Sequence, residues 1–153
     1  MCTILRSAAV GATLAALAAG PLASAAFAQP TGSPVGLWKS IDDETKKPTA
    51  LIRLEEAAGA LVGRIEKILT DKADAVCDKC TDARKDKPVQ GMTILTGLKK
   101  EGEEWTGGEI LDPNNGKLYK AKLKLAEAGR KLELRGYVGI PTLGRTQTWV
   151  REN

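Results

Sequence analysis

Between Tyr119 and Leu125 the chain alternates strictly: Tyr119-Lys120-Ala121-Lys122-Leu123-Lys124-Leu125. On an extended backbone Tyr119, Ala121, Leu123 and Leu125 share one side and the lysines share the other. A helix needs apolar residues three and four apart, so this spacing excludes one and requires a strand with one wet face. Leu132-Glu133-Leu134-Arg135-Gly136-Tyr137-Val138 repeats the pattern. Half-wet strands belong to antiparallel sheets, because parallel sheets bury both faces.

The punctuation fits hairpins. Glu55-Glu56-Ala57-Ala58-Gly59, Lys100-Glu101-Gly102-Glu103, Asp112-Pro113-Asn114-Asn115-Gly116 and Glu127-Ala128-Gly129 are short, polar and glycine-bearing. Strands are predicted near 36–42, 50–56, 60–69, 91–98, 104–111, 117–125, 131–138 and 144–151, with a bulge at Gly107-Gly108. An open sheet of that length would expose two edges, and closure removes them. The expected fold is therefore all-β: an eight-stranded antiparallel up-and-down barrel, whose interior is wide enough for side chains or one small ligand.

The first residues belong to a different class of segment. Arg6 is the only charged side chain before Lys39, an alanine-rich apolar stretch follows it, and Ala26-Phe27-Ala28 has the small-x-small form of a cleavage site. Residues 1–28 read as a secretory signal peptide cleaved after Ala28, with periplasmic or secreted localisation and no remaining membrane span. Cys2 precedes the apolar run, which disfavours a lipoprotein. Residues 29–34 read as a linker and 35–153 as one barrel domain. The net charge of +4 is small and interleaved, unlike that of a nucleic-acid binder.

Cys77-Asp78-Lys79-Cys80 admits three readings. A redox site would place its first cysteine at a helix N-terminus in a β-α-β setting. Here Asp74, Asp78 and Asp82 flank it in a long polar loop, with Lys79 and Arg84 opposing them. Structural zinc wants four Cys or His ligands, and the chain has no histidine. No metal or other cofactor is expected. A structural disulfide between Cys77 and Cys80 suits an oxidising compartment, where closing so small a loop contributes roughly 2 kcal/mol.

Gly36-Leu37-Trp38 opens the first strand, and Arg145-Thr146-Gln147-Thr148-Trp149-Val150-Arg151 forms the last. Alternation puts Arg145, Gln147, Trp149 and Arg151 on one side. Trp38, Arg145, Trp149 and Arg151 are the candidates for barrel closure, since a cation over an indole face covers a barrel end without an unpaired charge. Arg145, Tyr119, Tyr137 and Trp105 are the candidate ligand-binding residues.

These segments carry a resemblance. Trp38 with Asp42-Asp43, Cys77-Asp78-Lys79-Cys80, Gly91-Met92, Ile110-Leu111-Asp112-Pro113, Gly116-Lys117-x-Tyr119, Leu134-Arg135-Gly136-Tyr137 and Leu143-Gly144-Arg145-Thr146-Gln147-Thr148-Trp149 are similar to a bacterial secreted family, domain-of-unknown-function family 2147. The resemblance covers nearly all of the chain beyond the leader. It implies a lipocalin-like (calycin) barrel that binds a small apolar or amphipathic ligand, and it brings no catalytic residues.

The residues agree on the chemistry they exclude. Without histidine, Ser-His-Asp and Cys-His nucleophilic sites are impossible. Asp42, Asp43 and Glu44 could support carboxylate chemistry, although three acids after a strand more commonly form a solvated turn. The leading expectation is a non-enzymatic binding protein for a small apolar or amphipathic molecule. The alternatives are a cell-envelope structural or interaction module with a solid core and, behind it, a thiol redox protein.

Overall fold

The structure is a computed structural model and describes residues 32–153; the leader Met1–Ala28 lies outside the described residues. Eight strands run β1 (Gly36–Ile41), β2 (Pro48–Ala57), β3 (Ala60–Ile68), β4 (Thr93–Glu101), β5 (Glu104–Asp112), β6 (Lys117–Ala126), β7 (Lys131–Tyr137) and β8 (Gly144–Arg151). Each pairs antiparallel with the next, and β8 returns to β1 through Trp38↔Arg151, Lys39↔Val150 and Ser40↔Trp149. The sheet is a closed barrel of up-and-down topology. Every expected strand is present, with ends moved by up to three residues. The largest change is in β4, which continues because Lys99, Lys100 and Glu101 pair with Thr106, Trp105 and Glu104.

Alternation sets what lies inside. Trp38, Leu54, Leu61, Leu95, Leu98, Leu123, Leu132 and Trp149 are almost wholly buried, and cross-strand partners share a face: Leu123 opposes Leu134, and Trp149 opposes Leu132. The expected bulge is found where the β5–β6 register slips between Trp105 and Gly108. A Cβ on Gly108 would sit 2.3 Å from the Thr96 carbonyl oxygen and 2.7 Å from the Leu98 nitrogen, so only glycine lets β4 and β5 approach so closely here.

The two ends differ. One carries the tight β2–β3, β4–β5 and β6–β7 hairpins together with both ends of the barrel sequence. Trp38 plugs this end, fully buried, with its indole N–H donating to the Pro34 carbonyl at 2.7 Å. The Arg151 guanidinium lies 4.3 Å from the centre of the Trp38 ring and donates to the carbonyls of Gly129, Val35 and Ser33. Ser33 and Pro34, the last residues of the expected 29–34 linker, are held to the barrel floor by these bonds. Burial lowers the Arg151 pKa from its ordinary value, and the carbonyl oxygens replace the water its charge has lost.

The other end carries the longer connections: 42–47, 69–92, 113–116 and 138–143. Within 69–92 a bridge between Val76 and Pro88 and backbone bonds from Cys77 N–H to Lys87 and from Val89 N–H to Ala75 form a small folded flap. The Cys77–Cys80 disulfide is formed and both residues are buried. The flap rests against the β5–β6 turn so tightly that a Cβ on Gly116, at φ +72°, would lie 1.9 Å from the Lys79 carbonyl oxygen.

Candidate functional site

Between the Trp38 plug and the longer loops the barrel is hollow. The cavity has a volume of about 950 Å³ and opens between the 42–47, 69–92, 113–116 and 138–143 connections. Branched aliphatic side chains, Ile52, Ile65, Ile68, Ile94, Ile110 and Leu134, form part of its wall. Trp149 forms part of the wall near β1, buried and donating to the Gln147 side-chain oxygen at a long 3.4 Å.

Polar groups enter on one wall and at the rim. Ser40 and Thr49 share a 2.6 Å hydroxyl–hydroxyl hydrogen bond, and the Ala50 N–H donates to Ser40 Oγ, so this buried pair is satisfied locally. At the rim Asp112 accepts from the Asn114 N–H and from the Asn115 amide, and that amide also donates to the Tyr119 hydroxyl at 3.1 Å. Across the mouth Arg145 Nε donates to Asp43 Oδ2 at 2.9 Å, tying β8 to the 42–47 loop.

The candidate residues separate along the barrel axis. Arg145 opposes Gly136 and faces inward at the mouth, with its side chain 65% exposed. It takes no part in closure, which falls to Trp38 and Arg151. Six residues of strand separate Arg145 from Arg151, about 20 Å along β8, so a shared face puts them at opposite ends. Trp149 lines the cavity between them.

Tyr119 faces inward beside Gly136, whose added Cβ would sit 3.6 Å from Tyr119 Cβ. Tyr137 opposes Lys120 on the outward row and meets the cavity only at its rim. Trp105 does not reach the cavity. It pairs with Leu123 and Lys100 near the plugged end, and the Lys100 ammonium lies 5.5 Å from its ring centre. This candidate ligand-binding residue therefore lies away from the cavity, towards the plugged end.

Sequence reasoning did not name Ser40, Thr49, Gln147 or the Asp112–Asn115 turn as candidate site residues. The turn alone carried a usable signal, since Asp-Pro-Asn-Asn-Gly next to an inward tyrosine places side-chain acceptors at a strand end. The acidic run behaves as a turn. Asp42 Oδ1 accepts from the Glu44 N–H and from the Thr45 N–H and hydroxyl, and the Thr45 bonds hold its carboxyl below the usual range. Asp43 is engaged by Arg145.

From Gly36 at the plug to Arg151 beside it, the sequence matches a family described as an uncharacterized protein conserved in bacteria, DUF2147, over residues 36–151. The chain belongs to this family. Among solved structures, this DUF2147 member is similar to protein HP1028 from Helicobacter pylori, described as belonging to the lipocalin family. The two share 17% identity, with 79% of this chain and 84% of that chain covered and a TM-score of 0.69. At that identity the likeness establishes the lipocalin-like fold alone. No curated protein matches this DUF2147 chain.

Proposed function

We propose that this protein is exported from the bacterial cytoplasm and binds a small amphipathic molecule in its barrel, without catalysing a reaction on it. The observation that carries this reading is the cavity of about 950 Å³, plugged by Trp38 at one end and lined by both aliphatic and polar side chains. That size falls within the range of pockets for drug-sized ligands, roughly 300–1,000 Å³. It favours a binding role over an envelope module with a solid core. The disulfide and the Arg6-to-Ala28 leader pattern support passage to an oxidising compartment.

The polarity of the cavity orients the ligand. An apolar tail fits the Ile52, Ile65 and Ile94 walls, leaving a head group level with Arg145, Tyr119 and Asn115. Exposed ion pairs contribute about 0–1 kcal/mol, so an anionic head could take the place of Asp43 on Arg145 at little cost. Native mass spectrometry of protein purified from its own periplasm is expected to show a bound mass that denaturation releases. Titration with a fatty acid is expected to perturb Trp149 fluorescence. A persistently unliganded mass together with no uptake of fatty acid or of a neutral lipid analogue would overturn the proposal.

A further inference from the structure

Gln147 is a polar side chain of the cavity wall whose hydrogen-bonding capacity is half used. It sits on the inward row of β8, opposite Leu134, and lines the cavity. Its side-chain oxygen accepts from the Trp149 indole N–H. A primary amide carries two N–H donors besides that oxygen. Among the described residues, no protein acceptor lies within hydrogen-bond distance of the Gln147 amide nitrogen. Nor is that nitrogen sealed in, since the described residues hold no enclosed side-chain nitrogen or oxygen without a partner. The two donors therefore face open space, and for an inward residue that space is the cavity.

Other polar groups of the wall are already engaged. Ser40 Oγ is held between Thr49 Oγ1 and the Ala50 backbone. Arg145 donates to Asp43, and Asp112, Asn115 and Tyr119 are linked to one another at the rim. Gln147 lies two residues below Arg145, about 7 Å deeper along β8. Trp149, opposed by Ser40, is one inward step deeper again. On the neighbouring strand Gly136 lines the cavity without a side chain, and even an added Cβ would meet only ordinary contacts at 3.6 Å. The wall is recessed there, which leaves room for a ligand chain within reach of the amide. A purely apolar chain in that position would strip the donors of water and leave them unpaired, a penalty that an acceptor oxygen on the chain removes.

We propose that Gln147 is a specificity-determining residue, and that the ligand is an amphiphile carrying a neutral acceptor oxygen, as ketone, ester or hydroxyl, below its head group. The inference rests on the ligand-binding reading and names the class of molecule within it. A neutral acceptor is read independently of the head group, which suits a mouth where carboxylates outnumber cations. A site built to hydrogen-bond one group rejects the analogue that lacks it, whereas aliphatic walls discriminate weakly between similar chains.

The test measures uptake of palmitic acid and of hexadecanol, each plain and with a single ketone moved along the chain. In the parent protein, affinity is expected to peak for a ketone about 7 Å below the head group. At the peak it should exceed that of the plain chain about fivefold. Gln147→Met keeps the length of the side chain without its donors, and the keto-to-plain ratio should fall to about one at every position. Gln147→Glu keeps an acceptor for Trp149 but puts an oxygen where the donors were, and it should lose the peak as well. If neither variant folds, the position dependence in the parent decides alone. Equal affinity for keto and plain chains in the parent would overturn the inference and leave the ligand-binding reading intact. So would a keto preference that folded Gln147→Met retains, because another group would then hold the oxygen. No uptake of any chain, keto or plain, would overturn the ligand-binding reading and this inference with it.

Discussion

Two arginines of β8 have the same inward parity and opposite tasks. Arg151 is enclosed by the Trp38 ring and three backbone carbonyls, whereas Arg145 stands in solvent with Asp43. Removing Arg151 leaves a stacked indole uncovered and three carbonyls, two of them part-buried, without this donor. Arg151→Met is therefore expected to cost about 3 kcal/mol in urea unfolding. Arg151→Lys should recover only part of that, since one ammonium cannot reproduce the guanidinium's fork. Arg145→Gln should leave the unfolding midpoint nearly unchanged while weakening uptake of anionic amphiphiles. A third charged site sets a pH dependence. The Arg84 guanidinium holds the Asp82 carboxyl at about 2, below its ordinary 3.8. A depressed folded pKa means that the stabilisation is complete above about 3.8 and disappears as pH falls towards 2. Arg84 also donates to the Thr93 carbonyl, so amide exchange in the 69–92 flap should accelerate over that acid interval. In Asp82→Asn the flap should exchange rapidly at neutral pH, with that acid step missing.

At the scale of elements, strand positions were legible because alternation and glycine-bearing turns recur along the barrel. The Gly107-Gly108 bulge was legible for the same reason. Height within the barrel was not: parity gives the face of Trp105 or Arg145, but only the closed register gives the end at which each lies. The flap was the least legible element, because residues 69–92 have no period and their shape depends on tertiary contacts. Those contacts are specific. The buried disulfide packs with the core, and Gly116 receives the Lys79 carbonyl where no side chain fits. Cys77→Ala with Cys80→Ala is expected to lower stability by about 2 kcal/mol, with the far-UV circular dichroism of the barrel retained. Gly116→Ala combines a left-handed φ with a clash against backbone. It should displace the flap and speed ligand release, observable as a faster off-rate with little change in barrel spectra.

For the whole molecule, a plugged floor and an open mouth make the barrel a cup, and a cup can be filled from within. Gly136 is suited to that experiment. Its backbone is not in the left-handed region, and an added Cβ would meet Ile110 and Tyr119 at 3.6 Å, an ordinary contact. A longer apolar side chain there would project into the space below Tyr119. If the cavity is the binding site, Gly136→Leu should abolish fatty-acid uptake while holding or raising the melting temperature, since it adds apolar contact without removing a plug or a strand pairing. If the working part of the molecule were its outer surface, the same substitution would leave function intact. Uptake that survives in a folded Gly136→Leu protein would place the ligand outside the barrel. Loss of uptake with stability retained would separate what the cavity contributes to function from what the closed sheet contributes to folding.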